Sequence, residues 1–375
     1  MDRSGEFYKG FSEVSKKEWL QKIETDLKGK PFEDLLWELE EGISLQPIHH
    51  PDDLKELPET LGLDRQNNDW EIGAYFLSKD PKESNKQLLE GLMGGLNAIH
   101  ISFDQAPAEA DFTHLLRDIE PNFISTHLQI SNNISESFAV FKDYIIQNYS
   151  SEYLQNLRGS ICFEPDGTSE SDIELAQQLY NSYSELAPKF KLIQLSTPAF
   201  TEVQNITDDL AQVLHKAQNI FNTLGQKISP DLINRHLKLR LEVGTNFFAE
   251  LAKLRAIRIL WANLINAYGA ENRTLEIEVH FAKNSLTGDA NMNMIKASTQ
   301  AMSAVLGGAQ RLYIPPSGSE KGGLDFQTRI ARNVQHLLKM ESYLDRVVDP
   351  AAGSYYIEAL TEKVATAAWE KFQKL

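Results

Sequence analysis

A parallel (β/α)8 TIM barrel carrying an N-terminal helical extension is the fold class that this 375-residue sequence predicts, on three observations. Short β-rich runs alternate with longer helical runs eight times after Trp70, which is how a parallel sheet with crossover helices is written. No Gly-x-Gly-x-x-Gly follows the first strand, so the competing doubly wound sheet lacks its usual signature. Eight such strand-and-helix units fit into about 270 residues, which favours the closed barrel over the open sheet.

The elements follow in order. Residues 1–69 form the extension. Leu20, Ile23 and Leu27, then Phe32, Leu35, Leu36 and Leu39, predict two short amphipathic helices broken at Gly29-Lys30-Pro31. A loop with His49-His50-Pro51 and Pro58 comes next. Such a segment buries little by itself and is expected to lie on the barrel or to wrap a partner. The barrel spans 70–345. Its strands are expected at 71–77, 98–104, 123–131, 158–164, 191–196, 237–244, 275–281 and 309–314. Its helices are expected at 82–92, 108–118, 135–148, 170–186, 203–224, 246–268, 290–306 and 324–341. In the sixth, Phe247, Leu251, Leu254, Arg258, Trp261, Ile265 and Tyr268 recur at steps of three and four, an apolar stripe with one Arg. Residues 346–375 form a C-terminal helical segment.

Strand parity exposes an unusual lumen. In 275–281, Leu275, Ile277, Val279 and Phe281 would face the helices, and Glu276, Glu278 and His280 would face inward. In 237–244 the inward set would be Lys238, Arg240, Glu242 and Gly244. His100, His127, Gln129, Ser160, Cys162, Glu164, Gln194 and Ser196 join them. Parallel barrels normally fill this space with Val, Ile and Leu. A polar lumen either admits water or a polar ligand, or is closed by opposite charges. Arg240, Glu242, Glu276 and Glu278 are the residues expected to close it, because buried charges persist only when paired.

A formal charge of −16 repels phosphate backbones and anionic membranes, so neither nucleic acid nor membrane is an expected partner. The single cysteine, Cys162, forms no intrachain disulfide. No apolar run approaches the roughly 20 residues of a membrane span, and "MDRSGEFYKGFSE" is polar. Both observations point to the cytoplasm.

Conventional chemistry finds little footing. The nine histidines form no His-x-x-x-His pair, and His49-His50 are adjacent, so no metal site is expected. Cys162 with His127 would make a mid-strand pair, away from the strand ends where barrel chemistry gathers; a buried thiol is the simpler reading. The stretch "GSEKGGLDF" (318–326) offers a weak phosphate loop or a flexible loop with Asp325 near a helix cap. Asp104, Glu164 and Lys283 at strand ends could assemble a Schiff-base site.

At its two ends and in its longest helices the sequence is more particular. "DLKGKPFEDLLWELEEGISLQPIHHPDDLKEL" (26–57), "FFAELAKLRAIRILWANLI" (247–265), "SLTGDANMNMIKASTQAMSAVLGGAQRL" (285–312) and "DFQTRIARNVQHLLKMESYLDRVVDPAAGSYYIEALT" (325–361) resemble the methylmalonyl-CoA mutase family, from about residue 12 onward. The resemblance implies a CoA-substrate barrel and a flavodoxin-like adenosylcobalamin domain that together isomerise methylmalonyl-CoA to succinyl-CoA, in propionate metabolism. Some bacterial members are heterodimers whose small subunit is a diverged, non-catalytic copy.

Four departures from the family's catalytic pattern agree with each other. Where catalytic members carry Ser-Gly-Tyr-His after the fifth strand, this chain has Ser196, Thr197, Pro198 and Ala199, so Pro198 and Ala199 stand at the Tyr and His positions. In the family's Trp-Thr-Ile-Arg-Gln-Tyr run, Gly73 stands at the substrate-holding Arg. In its Arg-Thr-His-Cys-Gln run, Glu278 stands at the Arg, reversing the charge that would meet a carboxylate. The cobalamin motif Asp-x-His-x-x-Gly is absent from these residues. The resemblance therefore implies the small subunit of a heterodimeric mutase. It carries no cofactor and no catalytic residues of its own, and it supports a large catalytic subunit that holds adenosylcobalamin. The alternative is an active acyl-CoA mutase barrel working with a separate cobalamin-binding chain. The sequence "TEKVATAAWEKFQKL" ends within a helical pattern, and continuation into a cobalamin-like domain is the expectation it raises.

Overall fold

The computed structural model describes residues 14–53, 65–197, 205–318 and 324–375. Its centre is a closed ring of parallel strands: β3 (Glu71–Ser78), β4 (Ala98–Phe103), β5 (Ser125–Ile130), β6 (Arg158–Ile161), β7 (Phe190–Lys191), β8 (Ile193–Ser196), β9 (Leu237–Val243), β10 (Glu276–Phe281) and β11 (Arg311–Tyr313). β7 and β8 are two halves of one strand interrupted at Leu192. The first half pairs with β6 and the second with β9. The Gln194 amide donates to the Phe163 carbonyl at 2.8 Å, which closes the ring. The molecule is thus an eight-stranded TIM barrel, with strands where the alternation predicts them.

Helices α2 (Pro81–Met93), α3 (Glu109–Leu115), α4 (Ile134–Asn148), α6 (Glu170–Tyr183), α7 (Ile206–Leu224), α9 (Phe247–Ala267), α10 (Ala290–Leu306) and α11 (Leu324–His336) follow the strands. Two short helices escape the periodicity, α5 (Ser151–Leu154) and α8 (Pro230–Arg235). The run expected to be helical to residue 341 turns into a π-helical turn at Leu337–Glu341.

The outward faces of the strands pack against this helical ring. Ile99, Ile101, Leu128, Leu239, Leu241, Ile277 and Val279 are all fully buried. Helix α9 is buried nearly all round because α12 (Tyr355–Phe372) lies across it and α7 as a further layer. A buried ion network fixes that layer. Arg255 of α9 makes a two-pronged bond to Glu358 (2.8 Å to each oxygen) and a second bond to Asp349. Asp349 has a φ of +47° in the "VVDPAAGSYY" turn that leads into α12.

The extension differs from expectation. Its first helix forms, as α1 (Lys16–Asp26), with a capping box of Ser15 and Glu18. The second does not. Phe32–Leu35 is a single 3-10 turn, followed by a hairpin of β1 (Trp37–Glu40) and β2 (Ile43–Leu45). Leu35, Leu36 and Leu39 fit a helical spacing, but "WELE" also alternates. Gly42 at φ +83° supplies the turn, and Ile43 and Leu45 are buried against the barrel. Tertiary packing decides between two patterns that a short run carries equally well.

Candidate functional site: the barrel lumen

The lumen is a layered polar network. At its N-terminal end the Arg311 guanidinium bonds three carboxylates: Glu71 (2.6 Å), Glu276 (3.1 Å) and Glu278 (3.4 Å). Glu71 also meets Arg158 (3.2 Å) and accepts from Ser125 Oγ (2.6 Å), and Glu276 meets Lys191 (3.5 Å). This layer floors a cleft of about 580 Å³ at the N-terminal mouth.

One layer up, Lys238 Nζ lies 2.6 Å from Glu278 Oε2, with both side chains wholly buried. The second Glu278 oxygen accepts from His280 Nε2 at 2.9 Å, and His280 Nδ1 bonds the Tyr75 hydroxyl. The tautomer follows: His280 carries its hydrogen on Nε2, and Nδ1 accepts. Burial alone would raise the Glu278 carboxyl. The Lys238 ammonium and the His280 hydrogen bond hold it well below the usual carboxylate range. Burial and the Arg240 charge push His280 down to about 3, so it is a neutral relay rather than a cation. His100 falls to about 4, first through burial, while bonded to Gln129 at 2.9 Å. His127, bonded to Ser160 at 2.7 Å, is held well below its ordinary value by burial and by Arg311 and Lys238.

Aromatic rings pack the remaining space. Tyr313 stacks on His280 with centroids 4.8 Å apart, and Tyr75 lies 5.0 Å from Tyr313 and 5.3 Å from His100. Tyr313 lies directly over Gly73. A Cβ at that position would come within 2.5 Å of the ring. Gly73→Ala is therefore expected to cost about 1–3 kcal/mol by overpacking, and the cost should vanish in a Tyr313→Ala background. Urea midpoints of the four chains measure this; an unchanged midpoint for the single variant would contradict the packing described.

Each residue expected in the lumen can now be placed. Glu276 and Glu278 are tied through Arg311. Arg240 is not the cation that closes the network: among the described residues its side chain makes no hydrogen bond or ion pair, and it sits partly exposed toward the C-terminal mouth. Lys238 and Arg311 take that role instead. Glu242 is buried one level above Arg240, beside His280 in the strand register. Cys162 lies 3.6 Å from Ser160 Oγ and 3.7 Å from Lys238 Nζ, with no bond to His127, and burial raises its thiol. Glu164 is engaged with Lys216 at 2.7 Å rather than with Lys283. His49 and His50 face Asp53 and Asp52.

Thr197 is buried. Its amide donates to the Arg240 carbonyl and its hydroxyl accepts the Glu242 amide. Pro198 and Ala199, and residues 319–323 of the Gly-rich stretch, lie outside the described residues. Among the described residues no three His, Cys, Asp or Glu side chains converge as ligands of a metal ion, and no helix is long and apolar enough to cross a membrane.

Sequence parity missed Arg311 and Tyr313, although "RLY" within "AQRLYI" places both on one face at a period of two.

Residues 108–375 match the family profile described as methylmalonyl-CoA mutase. The chain belongs to the methylmalonyl-CoA mutase family. It is 29% identical, over 96% of its length, to the methylmalonyl-CoA mutase small subunit of Porphyromonas gingivalis. It is 26% identical, over 95% of its length, to methylmalonyl-CoA mutase of Cereibacter sphaeroides, and 28% identical, over 94%, to the mitochondrial enzyme of Homo sapiens. The chain spans 63%, 58% and 54% of those three relatives.

Proposed function

We propose that this mutase-family barrel is the small, non-catalytic subunit of a heterodimeric methylmalonyl-CoA mutase, and that it supports a large catalytic partner. The observation that carries the reading is the Glu71–Arg311–Glu278–Lys238 network, which spans the lumen with buried, mutually satisfied charges. A thioester arm passing along the barrel axis would have to displace these pairs. Separating a buried pair costs about 3–5 kcal/mol, and the neutral arm has no charge to replace it. Tyr313 over Gly73 and Glu278 in the network fill the two places where the resemblance puts substrate-holding arginines. The likeness to a chain called a small subunit points the same way.

Adenosylcobalamin, which the family implies, supplies radicals when bound. The described residues do not fit it. His280 has both ring nitrogens engaged, and the one unpartnered ring nitrogen of His100 and of His127 is buried inside the lumen network, so none of the three is open to a bound cofactor. The cofactor is assigned to the partner. In this reading the extension (1–69) wraps the partner, 70–345 forms the supporting barrel, and 346–375 the C-terminal helical segment. The cell compartment that suits it is the cytoplasm.

A second reading has one observation in its favour. Among the described residues Arg240 is a guanidinium without a hydrogen-bond or ion-pair partner near the C-terminal mouth, where an anionic acyl-CoA would meet it in an active barrel served by a separate cobalamin chain. Co-expression with the catalytic chain separates the two. The proposal expects a one-to-one complex on sizing and mutase activity only when the catalytic chain is present. Turnover that survives inactivation of the partner's substrate site would select the second reading.

A further inference from the structure

We infer that Glu40 latches the N-terminal hairpin onto the barrel, and that proton loss from Asp209, buried in the same helical turn that Glu40 caps, loosens the latch. Glu40 ends β1 and is nearly buried. Its Oε1 accepts the Ile206 amide and its Oε2 accepts the Thr207 hydroxyl at 2.5 Å. Both donors belong to the first turn of α7, whose own N-cap residue, Asn205, makes no side-chain cap bond. A residue 166 positions earlier therefore caps this helix, and its charge is favoured there by the helix N-terminus.

Asp209 lies in the same first turn. It is wholly buried, and among the described residues neither carboxylate oxygen has a hydrogen-bond partner. Charged groups reach it from each neighbouring element: Glu40 of β1, Glu242 of β9, and Glu250 and Lys253 of α9. Asp208, its neighbour on α7, faces Lys371 of α12 at 2.6 Å. Lys253 is committed to Glu250 (2.5 Å) and to the Glu242 carbonyl (2.5 Å). Asp209 thus lies in a space poor in water, and among the described residues its two carboxylate oxygens accept no hydrogen bond. Burial, with Glu250, Glu242 and Glu40 outweighing Lys253, pushes its carboxyl up to about 7.

The neutral acid sits beside Glu40 without repulsion. The ionised acid adds a second buried negative charge next to it. Of the two, only Glu40 belongs to an element tied to α7 by a pair of hydrogen bonds, so strand β1 and the first turn of α7 give way. Strand β2 keeps its hold through Ile43, Leu45 and the bond from Lys363 to the Ser44 carbonyl (2.5 Å). The latch stands on this chain's own geometry; its bearing on partner wrapping rests on the reading proposed above.

Hydrogen exchange of the full chain between about pH 6 and 8, corrected for the intrinsic pH dependence of amide exchange, tests the latch. Protection of 37–40 and 205–210 should fall roughly tenfold over that range, the change expected when one pKa unit of coupling is lost. In Asp209→Asn protection should stay high and flat; in Glu40→Gln it should be low throughout. A flat profile in the unmodified chain overturns the inference, as does an equal fall in Asp209→Asn. Should Asp209→Asn fail to fold, the unmodified chain still decides. A fall confined to these two segments and absent from β2 supports the latch, whereas a uniform fall across the barrel overturns it.

Discussion

Replacing Glu278 with leucine is expected to lower folding stability by about 3–5 kcal/mol, because it strands a buried charge rather than because a salt bridge is worth that much. Lys238 would keep a wholly buried ammonium whose one remaining hydrogen-bond partner among the described residues is the Cys162 sulfur, 3.7 Å away. His280 would lose the acceptor of its Nε2 hydrogen, while Arg311 would keep Glu71 and Glu276. The melting temperature should drop by roughly 10 °C. The double variant Lys238→Met, Glu278→Leu removes both charges and should recover most of the loss. Thermal unfolding of the parent, both single variants and the double variant tests this cycle. A double variant as unstable as Glu278→Leu would show that the cost lies elsewhere.

Acid should unfold this chain at an unusually mild pH. Four histidines are held neutral by burial: His100 and His236 to about 4, His280 to about 3, and His127 well below its ordinary value. In the unfolded chain each takes up a proton near pH 6.5. Between the two values the unfolded state binds more protons, so stability is lost as pH falls. Each histidine contributes about 1.4 kcal/mol per pH unit, or about 5.6 kcal/mol per unit for the four. Asp209 works the other way, because its folded carboxyl holds a proton up to about 7 against 3.8 in the ordinary case. It returns about 1.4 kcal/mol per unit as pH falls through that window. The net expectation is a loss of about 4 kcal/mol per pH unit between about pH 6 and 4. Urea midpoints across this range measure it, and a chain equally stable at pH 7 and 5 would contradict the neutral-histidine lumen.

Much of the barrel was legible because strand parity and helix period are local signals. The inward placement of Glu278, Lys238 and His280 follows from a period of two, and the burial of Ile277 and Val279 follows from the same count. Which cation meets which acid does not. Lys238 and Arg240 share a face of β9, but Lys238 is the one that reaches Glu278, which β9 and β11 flank so that Lys238 and Arg311 meet one carboxylate from two sides. Nothing local says that Arg240, two residues on, points toward the mouth instead. The extension failed for a related reason. Glu40 reads as a surface glutamate in "ELEEG", and its partners Ile206 and Thr207 are remote in sequence. The Gly73 position is an intermediate case. That it stands where the family resemblance puts an arginine is an expectation from sequence, yet the ring of Tyr313 over it comes from the last strand and appears only when the barrel closes.

The central claim is that this lumen is shut to an acyl-CoA by its own charges. Calorimetric titration of the isolated chain with methylmalonyl-CoA tests it most directly. The network of Arg311, Glu278 and Lys238 predicts no saturable binding, alongside normal binding by a catalytically active mutase in the same buffer. Saturable one-to-one binding by this chain, lost in Arg240→Ala, would contradict the closed lumen and make the barrel a substrate site.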